Sequence, residues 1–423
     1  MDDPFAISQL GACRYESPLA AEVEESAEGQ GVLFDARVPP GRSRPVSDAV
    51  LEAAGPRRRL YFDPPETRAA IVTCGGLCPG LNDVIRAVTM VLWYRYGVRD
   101  ILGLRYGYAG LTEADGHVPI RLTPEVVEDI HQKGGTMLGT SRGPQNVGDM
   151  VDFLQSRAID ILFTVGGDGT QRGALAVCEA LRERELPIAV VGIPKTIDND
   201  LSYTERTFGF ETAVALSQVP IAGAHMEAKG VENGVGLVKL MGRESGFVAA
   251  YATLASSDVN LLLVPEVPFS LDRVLSFLEE RLARKAHAVI VVAEGAGQNL
   301  VPGEGKDASG NPKLGDIGPF LKERIASHFR GAGRKISVKY IDPSYTIRSA
   351  PASADDSVYC FQLGLNAVHA AMSGRTGMVV GYWNGHHVHV PMAKAVEKRK
   401  RIDPAGSLWT SVLDNTGQPD VSA

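Results

Sequence analysis

The sequence has little of several features that mark whole classes of protein. No apolar stretch in its 423 residues approaches the roughly 18 apolar residues that a membrane-spanning helix needs, and the start, MDDPFAISQL, lacks the pattern of a signal peptide. The five cysteines show no framework spacing, which favours reduced thiols over disulfides. We therefore expect a cytoplasmic protein without a membrane partner.

Positive charge is also scarce, since the formal net charge is -7. This argues against nucleic acid as a partner, and any phosphate site has to be built from local groups. Glycine, in contrast, is abundant at 46 residues, beside a hydrophobic share of 44% and a charged share of 22%. Length and composition together predict an α/β protein of two domains whose strands end in sharp turns around ligands.

Short apolar runs recur from about residue 68 onward, and each ends in Gly, Asp or Pro before a helical pattern. This alternation predicts two doubly wound, mostly parallel, Rossmann-like sheets that face a cleft, with ligands at the carboxyl ends of the strands. Residues 1–66 are rich in Pro, Gly, Ala and charge, and we expect an N-terminal extension that builds no core layer. The predicted domains are 67–205 and 206–375, followed by a C-terminal segment, 376–423, that packs back on the core.

A glycine turn, residues 166–170 (GGDGT), follows one apolar run, and residues 171–184 can form the next helix. Gly167 and Gly169 let backbone N–H groups approach phosphate oxygens, and a helix start adds partial positive charge. Asp168 would repel phosphates unless a cation lay between them, so we assign it to Mg²⁺. The alternative is an ordinary strand-to-helix turn capped by the aspartate.

A second glycine loop, residues 74–82 (CGGLCPGLN), lies between the first strand and a helical pattern. It predicts a second phosphate cradle on an adjacent strand, which suits a polyphosphate donor. Cys74 and Cys78 could suggest zinc, but no second Cys or His pair stands at ligand spacing. We expect them to be small buried side chains.

The segment 192–200 (GIPKTIDND) places one cation, one hydroxyl and two carboxylates at a strand end. A hydroxyl that attacks phosphorus needs a base, and we assign Asp198. Asp200, on the same side of an extended segment, would hold acceptor hydroxyls, and Lys195 would offset charge on the transferred group. The alternative is a solvated, Asx-capped loop.

The GGDGT and KTIDND segments together resemble the phosphofructokinase family, from about residue 68 to the C-terminal region. Further landmarks follow in order: GGTMLGTSR, KLMGRESGF, LLLVPEVPF and KYIDPSYTIRS. The last two, with the long N-terminal arm and SLWTSVLDNTGQP, resemble the plant-like and protozoan-like branch. The resemblance implies an ATP-dependent 6-phosphofructokinase of glycolysis that uses Mg²⁺, phosphorylates fructose 6-phosphate and forms a homo-oligomer, either a dimer or a tetramer.

The resemblance also implies roles for matching positions, with residues 67–205 as the donor domain and 206–375 as the fructose 6-phosphate domain. For the nucleotide these positions are Gly76, Tyr108, Arg142, Gly169, Thr170 and Gly173. For the sugar phosphate they are Thr196, Asp198, Asp200, Met241, Gly242, Arg243, Glu266, Tyr345 and Arg348. Lys195, Thr196 and Arg243 join Asp198 as the predicted catalytic residues, and forked guanidinium donors suit a 6-phosphate.

Three departures from the family pattern bear on these expectations. Tyr345 stands where short bacterial members carry histidine. The arginine expected ahead of KLMGR is missing, with Asn233-Gly234 there, so we expect Lys339 to fill part of the phosphate site. Arg86 matches one basic effector residue of the bacterial form, but Met90 replaces a second, and that effector site is predicted not to be intact.

Two positions bear on the phosphoryl donor and point in different directions. Glycine at 169 leaves room for the α-phosphate of ATP, whereas lysine at 195 is typical of pyrophosphate enzymes and also occurs in the ATP-using branch. We favour ATP, because a blocked site cannot bind ATP while an extra lysine can serve either donor. The alternatives are a pyrophosphate-dependent phosphofructokinase and, more remotely, a non-catalytic regulatory subunit. NAD and lipid kinases share GGDGT but lack the PKTIDND and MGR segments.

Two further clusters of side chains could suggest binding sites, but we predict a structural role for each. His386, His387 and His389 could imitate a metal site, but we predict a surface turn. The basic run 398–401 (KRKR) is predicted to be a solvated helix end, with an effector phosphate site as the alternative.

Overall fold

The computed structural model describes residues 3–24, 29–41, 43, 45, 49–114, 116–306, 310 and 312–422. None of the helices in these ranges is both long enough and apolar enough to span a membrane. The described chain divides into two compact units. Unit 1 comprises Met1–Thr196, Leu201–Gly209 and Ser349–Arg399, and unit 2 comprises Ile197–Asp200, Phe210–Arg348 and Lys400–Ala423.

The strands and helices are numbered in chain order. The strands are β1 (Ser8–Gln9), β2 (Tyr15–Glu16), β3 (Gly31–Leu33), β4 (Val50–Ala53), β5 (Arg59–Leu60), β6 (Arg68–Thr73), β7 (Asp100–Leu104), β8 (Ile120–Arg121), β9 (Ile161–Gly166), β10 (Ala189–Pro194), β11 (Gly234–Leu240), β12 (Leu261–Leu263), β13 (His287–Ala293), β14 (Pro302–Lys306), β15 (Pro312–Leu314), β16 (Ser337–Ile341), β17 (Arg375–Thr376), β18 (Met378–Trp383) and β19 (His386–Pro391). The α-helices are α1 (Leu81–Val91), α2 (Val147–Ser156), α3 (Asp168–Glu183), α4 (Phe210–Lys229), α5 (Phe247–Ser256), α6 (Leu271–Lys285), α7 (Ile317–Gly331), α8 (Ser344–Arg348), α9 (Ala354–Met372), α10 (Met392–Ala395) and α11 (Ser407–Thr416).

Unit 1 is built on a large, mostly parallel sheet. Its described strands follow the order β3-β4-β19-β18-β10-β9-β6-β7-β8, and the run from β18 to β7 is parallel. β9 and β10 are buried along their whole length, which explains their continuous apolar sequences. They pair in register up to Pro194 opposite Gly166. The GGDGT turn and the PKTIDND segment therefore leave the sheet at the same edge.

Unit 2 has a smaller sheet of order β12-β13-β11-β16, in which every pairing is parallel. Its strands β11 and β13 end together, because Leu240 pairs with Ala293. A buried apolar cluster joins the sheet to helices that include α6 and α7. Both units thus confirm the predicted α/β class with mostly parallel sheets.

The N-terminal region contributes to the core, so the predicted extension without a core layer is wrong. β3 and β4 continue the large sheet beyond β19, and Leu51 of β4 is fully buried. Phe34 stacks on Trp383 with ring centroids 5.0 Å apart, and the indole Nε1 of Trp383 donates to the carbonyl of Phe34 at 2.7 Å. Strands of three or four residues are too short to show a periodic pattern, which is why the sequence did not reveal them.

The two units divide the chain differently from the predicted ranges. α9 falls in unit 1, because it packs along α1, where Ala87 touches Gly364 so closely that a Cβ on the glycine would lie 2.7 Å away. β18 and β19 are central strands of the same sheet. The end of the chain belongs to unit 2, where the side chain of Gln418 bonds both the N–H and the carbonyl of Leu262.

The three histidines of the C-terminal region lie on β19, and the prediction of a surface turn for them is wrong. The turn itself precedes them at Asn384 and Gly385, both of which have positive φ. His389 is fully buried, and its Nδ1 lies 2.8 Å from Oε1 of Glu52 on β4. Because β19 is paired on both edges, its histidines are held in the sheet.

Candidate active site

The GGDGT turn in unit 1 connects β9 directly to α3. The helix begins at Asp168, three residues earlier than the predicted start at 171, with Gly167 as the residue before it. Oδ2 of Asp168 accepts from Nε of Arg172 at 3.1 Å and lies 3.5 Å from Nη2 of Arg399. The carboxylate at this helix start is therefore flanked by two guanidinium groups.

Arg399 belongs to the basic run 398–401, which is not the solvated helix end that was predicted. α10 ends at Ala395, and Arg399 forms an antiparallel bridge with Leu201 in unit 1. In unit 2, Nζ of Lys400 donates to Oδ1 of Asn199 at 3.1 Å. The run thus lies along the end of the PKTIDND segment, a pairing between distant parts of the chain that local sequence pattern cannot show.

The second glycine loop brings together Gly76 and Arg142, two predicted nucleotide residues, and Lys195, a predicted catalytic residue. Nζ of Lys195 donates to the carbonyl of Gly76 at 2.9 Å, and the guanidinium of Arg142 lies 3.1 Å from where a Cβ on Gly76 would stand. Gly75 has φ +86°, a backbone conformation that favours glycine. Burial raises the pKa of the neighbouring Cys74 thiol to about 12, which suits the predicted small buried side chain.

The first turns of α3 contain Thr170 and Gly173, and Tyr108 packs against both of them. The hydroxyl of Tyr108 donates to the carbonyl of Thr170 at 2.6 Å, and a Cβ on Gly173 would lie 2.6 Å from the tyrosine ring. Tyr108 is buried, so its visible role is to support the helix start. Gly169, in contrast, faces open space, with nothing within 4 Å of a Cβ position.

The proposed base, Asp198, lies on a turn at the beginning of unit 2. Asn199 has φ +54°, so the segment is not extended and the predicted alternation of its side chains is wrong. The hydroxyl of Ser245 donates to the carbonyl of Asp198 at 3.2 Å, which ties the turn to the segment after β11. The turn itself keeps Asp200 close enough to Asp198 to affect its ionisation.

The surroundings of Asp198 disfavour its charged form. Burial is the largest cause, and the negative charges of Asp200 and Glu294 add to it, raising the pKa of Asp198 to about 7. The charge of Arg348 and a backbone hydrogen bond from Arg243 act in the opposite direction. A carboxylate with a pKa near neutrality can accept a proton at physiological pH and is matched to general-base catalysis.

The other predicted sugar-phosphate residues in unit 2 follow the ends of its parallel strands. Met241, Gly242 and Arg243 come after β11, and the Arg243 guanidinium donates to the carbonyl of Pro312. Arg348 stands at the end of α8, after β16, with Nη2 3.7 Å from Oε1 of Glu294. This arrangement follows the rule that ligands bind at the carboxyl ends of parallel strands.

Glu266 has backbone partners on its carboxylate. Both of its oxygens accept from the N–H of Gly246, at 3.0 Å, and Oε1 also accepts from the N–H of Ile402 at 2.9 Å. Burial raises the pKa of Glu266, although these hydrogen bonds oppose the rise. The side chain therefore holds the start of α5 as well as being a candidate ligand residue.

The remaining three predicted residues of the sugar-phosphate site are Lys339, Tyr345 and Thr196. Lys339 lies within β16, with Nζ 3.6 Å from Oε2 of Glu227 on α4, because its position in the strand directs it toward that helix. Tyr345 is 84% exposed. Thr196 ends its stretch of unit 1, where its carbonyl accepts from the hydroxyl of Thr207 at 2.5 Å.

Glu294 was not predicted from the sequence, although it contacts Arg348 and raises the pKa of Asp198. The residue directly follows the apolar run of β13, as Met241 follows β11. That position after a buried parallel strand was the signal that could have identified it. Arg399 had no comparable signal.

Comparisons with known proteins identify the family of this chain. The family model described as Phosphofructokinase matches residues 68–371. The ATP-dependent 6-phosphofructokinase of Amycolatopsis methanolica is 49% identical, over 99% of this chain and 95% of its own. ATP-dependent 6-phosphofructokinase 1 of Arabidopsis thaliana is 48% identical, over 86% of this chain and 78% of its own.

Among solved structures, a pyrophosphate-dependent phosphofructokinase from Marinobacter aquaeolei superposes with a TM-score of 0.69, covering 84% of this chain and 92% of that one. At 18% identity, this superposition shows a shared fold alone. The family match spans the two glycine loops, the PKTIDND segment and the strand ends of unit 2. The chain belongs to the phosphofructokinase family.

Proposed function

We propose that this protein is an ATP-dependent 6-phosphofructokinase, which transfers the γ-phosphoryl group of ATP to the 1-hydroxyl of fructose 6-phosphate. The products are fructose 1,6-bisphosphate and ADP, and the step belongs to glycolysis. The observation that carries this proposal is Asp198, whose pKa of about 7 fits a base for a sugar hydroxyl. The names of relatives at 48 to 49% identity support it.

In the proposed reaction the 1-hydroxyl oxygen forms a bond to the γ-phosphorus while the bond from phosphorus to the β,γ-bridging oxygen breaks. Asp198 accepts the hydroxyl proton, and ADP leaves with the bridging oxygen. Lys195 offsets charge on the transferred group, and Arg243 and Arg348 hold the 6-phosphate. Because the transition state is loose, positioning and charge stabilisation supply most of the rate.

We further propose that ATP binds with Mg²⁺ at Asp168. Mg²⁺ commonly takes one or two carboxylates together with phosphate oxygens and water, so the carboxylate of Asp168 at the start of α3 can serve as its protein ligand. The ion would neutralise charge on the donor phosphates.

The choice of donor rests on Gly169 and Lys195. The open space beside Gly169 supports ATP, because an α-phosphate can occupy it. Lys195, which donates to the carbonyl of Gly76, keeps pyrophosphate as the second candidate. The test is to incubate the pure protein with Mg²⁺, fructose 6-phosphate and each donor in turn, and to measure fructose 1,6-bisphosphate. Turnover with pyrophosphate and not with ATP would overturn the assignment of the donor.

Replacement of the base gives a sharper test of the mechanism. We expect Asp198→Asn to lower kcat by about 10²-fold or more, because an amide cannot accept the proton. Asp272→Asn, an exposed change of the same type in the first turn of α6, should leave kcat unchanged. A near-normal kcat for Asp198→Asn in steady-state assays would exclude Asp198 as the base.

We also propose that the protein acts in the cytoplasm as a homo-oligomer, either a dimer or a tetramer, as the family resemblance implies. Light scattering on the eluate of a sizing column measures the mass directly. A monomeric mass at assay concentration would contradict this part of the proposal.

A further inference from the structure

Lys239 lies on β11, just before Met241, in the strand that leads into the proposed sugar-phosphate site. Its side chain is only 12% exposed, and its Nζ lies 2.8 Å from Oδ1 of Asp316 and 3.0 Å from Oδ2 of Asp342. The two carboxylates come from different segments of unit 2. One ammonium group therefore ties three parts of this unit together.

Asp342 precedes α8, the short helix whose last residue is Arg348. Its Oδ1 accepts from the N–H of Ser344 at 3.1 Å and from the hydroxyl of Ser344 at 2.6 Å. Both oxygens of this carboxylate are thus engaged, one by Lys239 and the other by the first residue of the helix. Because α8 is only five residues long, a displacement of its start passes directly to Arg348.

Asp316 anchors the same lysine to the core of unit 2. It directly precedes α7, whose buried residues belong to the apolar cluster of this unit. The start of α7 packs closely on β16, since a Cβ on Gly318 would collide with the ring of Tyr340. The lysine therefore has one fixed partner beside α7 while it holds the second carboxylate beside α8.

The positive charge of Lys239 holds the two carboxylates in place. Burial alone would lower the pKa of Lys239, but its hydrogen bonds with Asp316 and Asp342 act against burial and raise the pKa above its ordinary value. The side chain therefore stays charged at neutral pH. Without this charge the two carboxylates would repel each other around the same half-buried position, and their repulsion would displace Asp342.

We propose that Lys239 is a positioning residue for the sugar phosphate, because it holds Asp342, which sets the start of α8 and thereby the place of Arg348. This inference rests on the proposed function, in which Arg348 holds the 6-phosphate. The lysine acts through the arginine and does not itself bind the phosphate. Forked guanidinium donors bind phosphate oxygens in a fixed geometry, so a displacement of about 1 Å weakens binding by about tenfold or more.

The test is the dissociation constant, Kd, of fructose 6-phosphate, measured by titration calorimetry on the full chain without a donor. We expect Lys239→Met, which keeps a side chain of similar length and removes its charge, to raise Kd at least about tenfold. In steady-state assays the KM for fructose 6-phosphate should rise by a similar factor, whereas kcat and the KM for ATP should change by less than about threefold. Lys322→Met, an exposed change of the same type on α7, is the matched control and should leave Kd unchanged.

A double-mutant cycle distinguishes a positioning role from a direct contact with the substrate. Arg348→Ala should itself raise Kd, and the addition of Lys239→Met should raise Kd further by less than about twofold, because the residue that Lys239 positions is then absent. The proposal is overturned if Lys239→Met has the same effect with and without Arg348, or if it leaves Kd unchanged in the presence of Arg348.

Ser344→Ala is the second variant, and it decides the matter if circular dichroism shows that Lys239→Met does not fold. It removes the 2.6 Å hydrogen bond to Asp342 and keeps the ion pair, so Kd should rise about threefold when Arg348 is present and stay constant in Arg348→Ala. An unchanged Kd for Ser344→Ala would then overturn the role of Lys239. If the unaltered protein binds no fructose 6-phosphate at all, the proposed function itself is contradicted, and the role of Lys239 with it.

Discussion

The charges around Asp198 decide the pH at which this residue can accept a proton. Its pKa of about 7 places the acid limb of the proposed activity close to neutrality, because the carboxylate is the active form. Glu294 contributes by its negative charge, and it also contacts Arg348, whose positive charge lowers the pKa of Asp198. The residue that raises the pKa of Asp198 is therefore in contact with the residue that lowers it.

We expect Glu294→Gln to move the acid limb of kcat/KM to lower pH. The substitution removes a negative charge and leaves Arg348 to act on Asp198 alone, so both changes favour the ionised carboxylate. The measurement is a pH profile of kcat/KM between pH 5 and 9, with Glu323→Gln, an exposed change on α7, as the control. A limb that stays in place or moves to higher pH would contradict the role given to Glu294.

The first turns of α3 form an element in which two glycines meet opposite surroundings. A Cβ on Gly173 would meet the ring of Tyr108 at 2.6 Å, whereas one on Gly169 would meet nothing within 4 Å. Replacing either glycine by alanine reduces the backbone freedom of the unfolded chain, and this raises the free energy of unfolding by a similar amount in both cases. The difference between them therefore isolates the contact with the tyrosine.

We expect Gly173→Ala to lower the free energy of unfolding by about 1–3 kcal/mol, because the ring must move within a packed core. Gly169→Ala should leave it unchanged or raise it by about 0.5–1 kcal/mol, as alanine does within a helix. Urea unfolding curves for the two variants measure both effects. Equal free energies of unfolding for the two variants would show that the ring of Tyr108 can move without a loss of stability.

The short strands β3 and β4 make the N-terminal region part of the sheet. Leu51 of β4 is fully buried, while Leu33 of the neighbouring β3 is 42% exposed. The two leucines lie on paired strands and differ mainly in burial. They form a matched pair for testing whether this region belongs to the core.

Leu51→Ala should lower the free energy of unfolding by about 2–5 kcal/mol, the usual range for a cavity in a core. Leu33→Ala should change it by no more than about 0.5 kcal/mol. Thermal or urea unfolding of both variants provides the comparison. If both changes were small, the N-terminal region would be an independent arm.

At the scale of the whole molecule, Asp198 should reduce stability at neutral and alkaline pH. A carboxyl whose folded pKa is raised binds its proton more tightly in the native state, so the free energy of unfolding falls as pH rises between about 4 and 7. Above pH 7 the reduction is fully present, and below about pH 4 it disappears. The ionised form of Asp198, which the proposed reaction needs, is thus the form that lowers the free energy of unfolding.

Asp198→Asn should therefore raise Tm at pH 8, by an amount equivalent to about 1–4 kcal/mol, and raise it less at pH 6. Calorimetry without ligands at the two pH values measures the difference. Asp272→Asn, on the surface, should show no such dependence on pH. A Tm gain that is the same at both pH values would mean that Asp198 ionises normally in the folded protein.

Much of the architecture was predictable because buried parallel strands are apolar on both faces, which made β9, β10 and β13 visible as runs. The same rule located Asp168 and Asp198 just beyond strand ends. Arg399 was not predictable, because its contact with Asp168 joins residues 231 apart and depends on how the chain returns to the sheet. β4 was missed because four residues carry too little periodicity.

The order of strands in unit 1 also has a consequence for protein synthesis. β4 pairs on one side with β19, which emerges from the ribosome about 330 residues later. At typical elongation rates of about 5–20 residues per second, the edge of β4 waits for roughly 15–70 s before its partner exists. During that interval the nascent chain exposes Leu51 and the unpaired backbone N–H and C=O groups along the edge of β4. A chaperone that covers this edge would therefore raise the yield of folded protein in the cell.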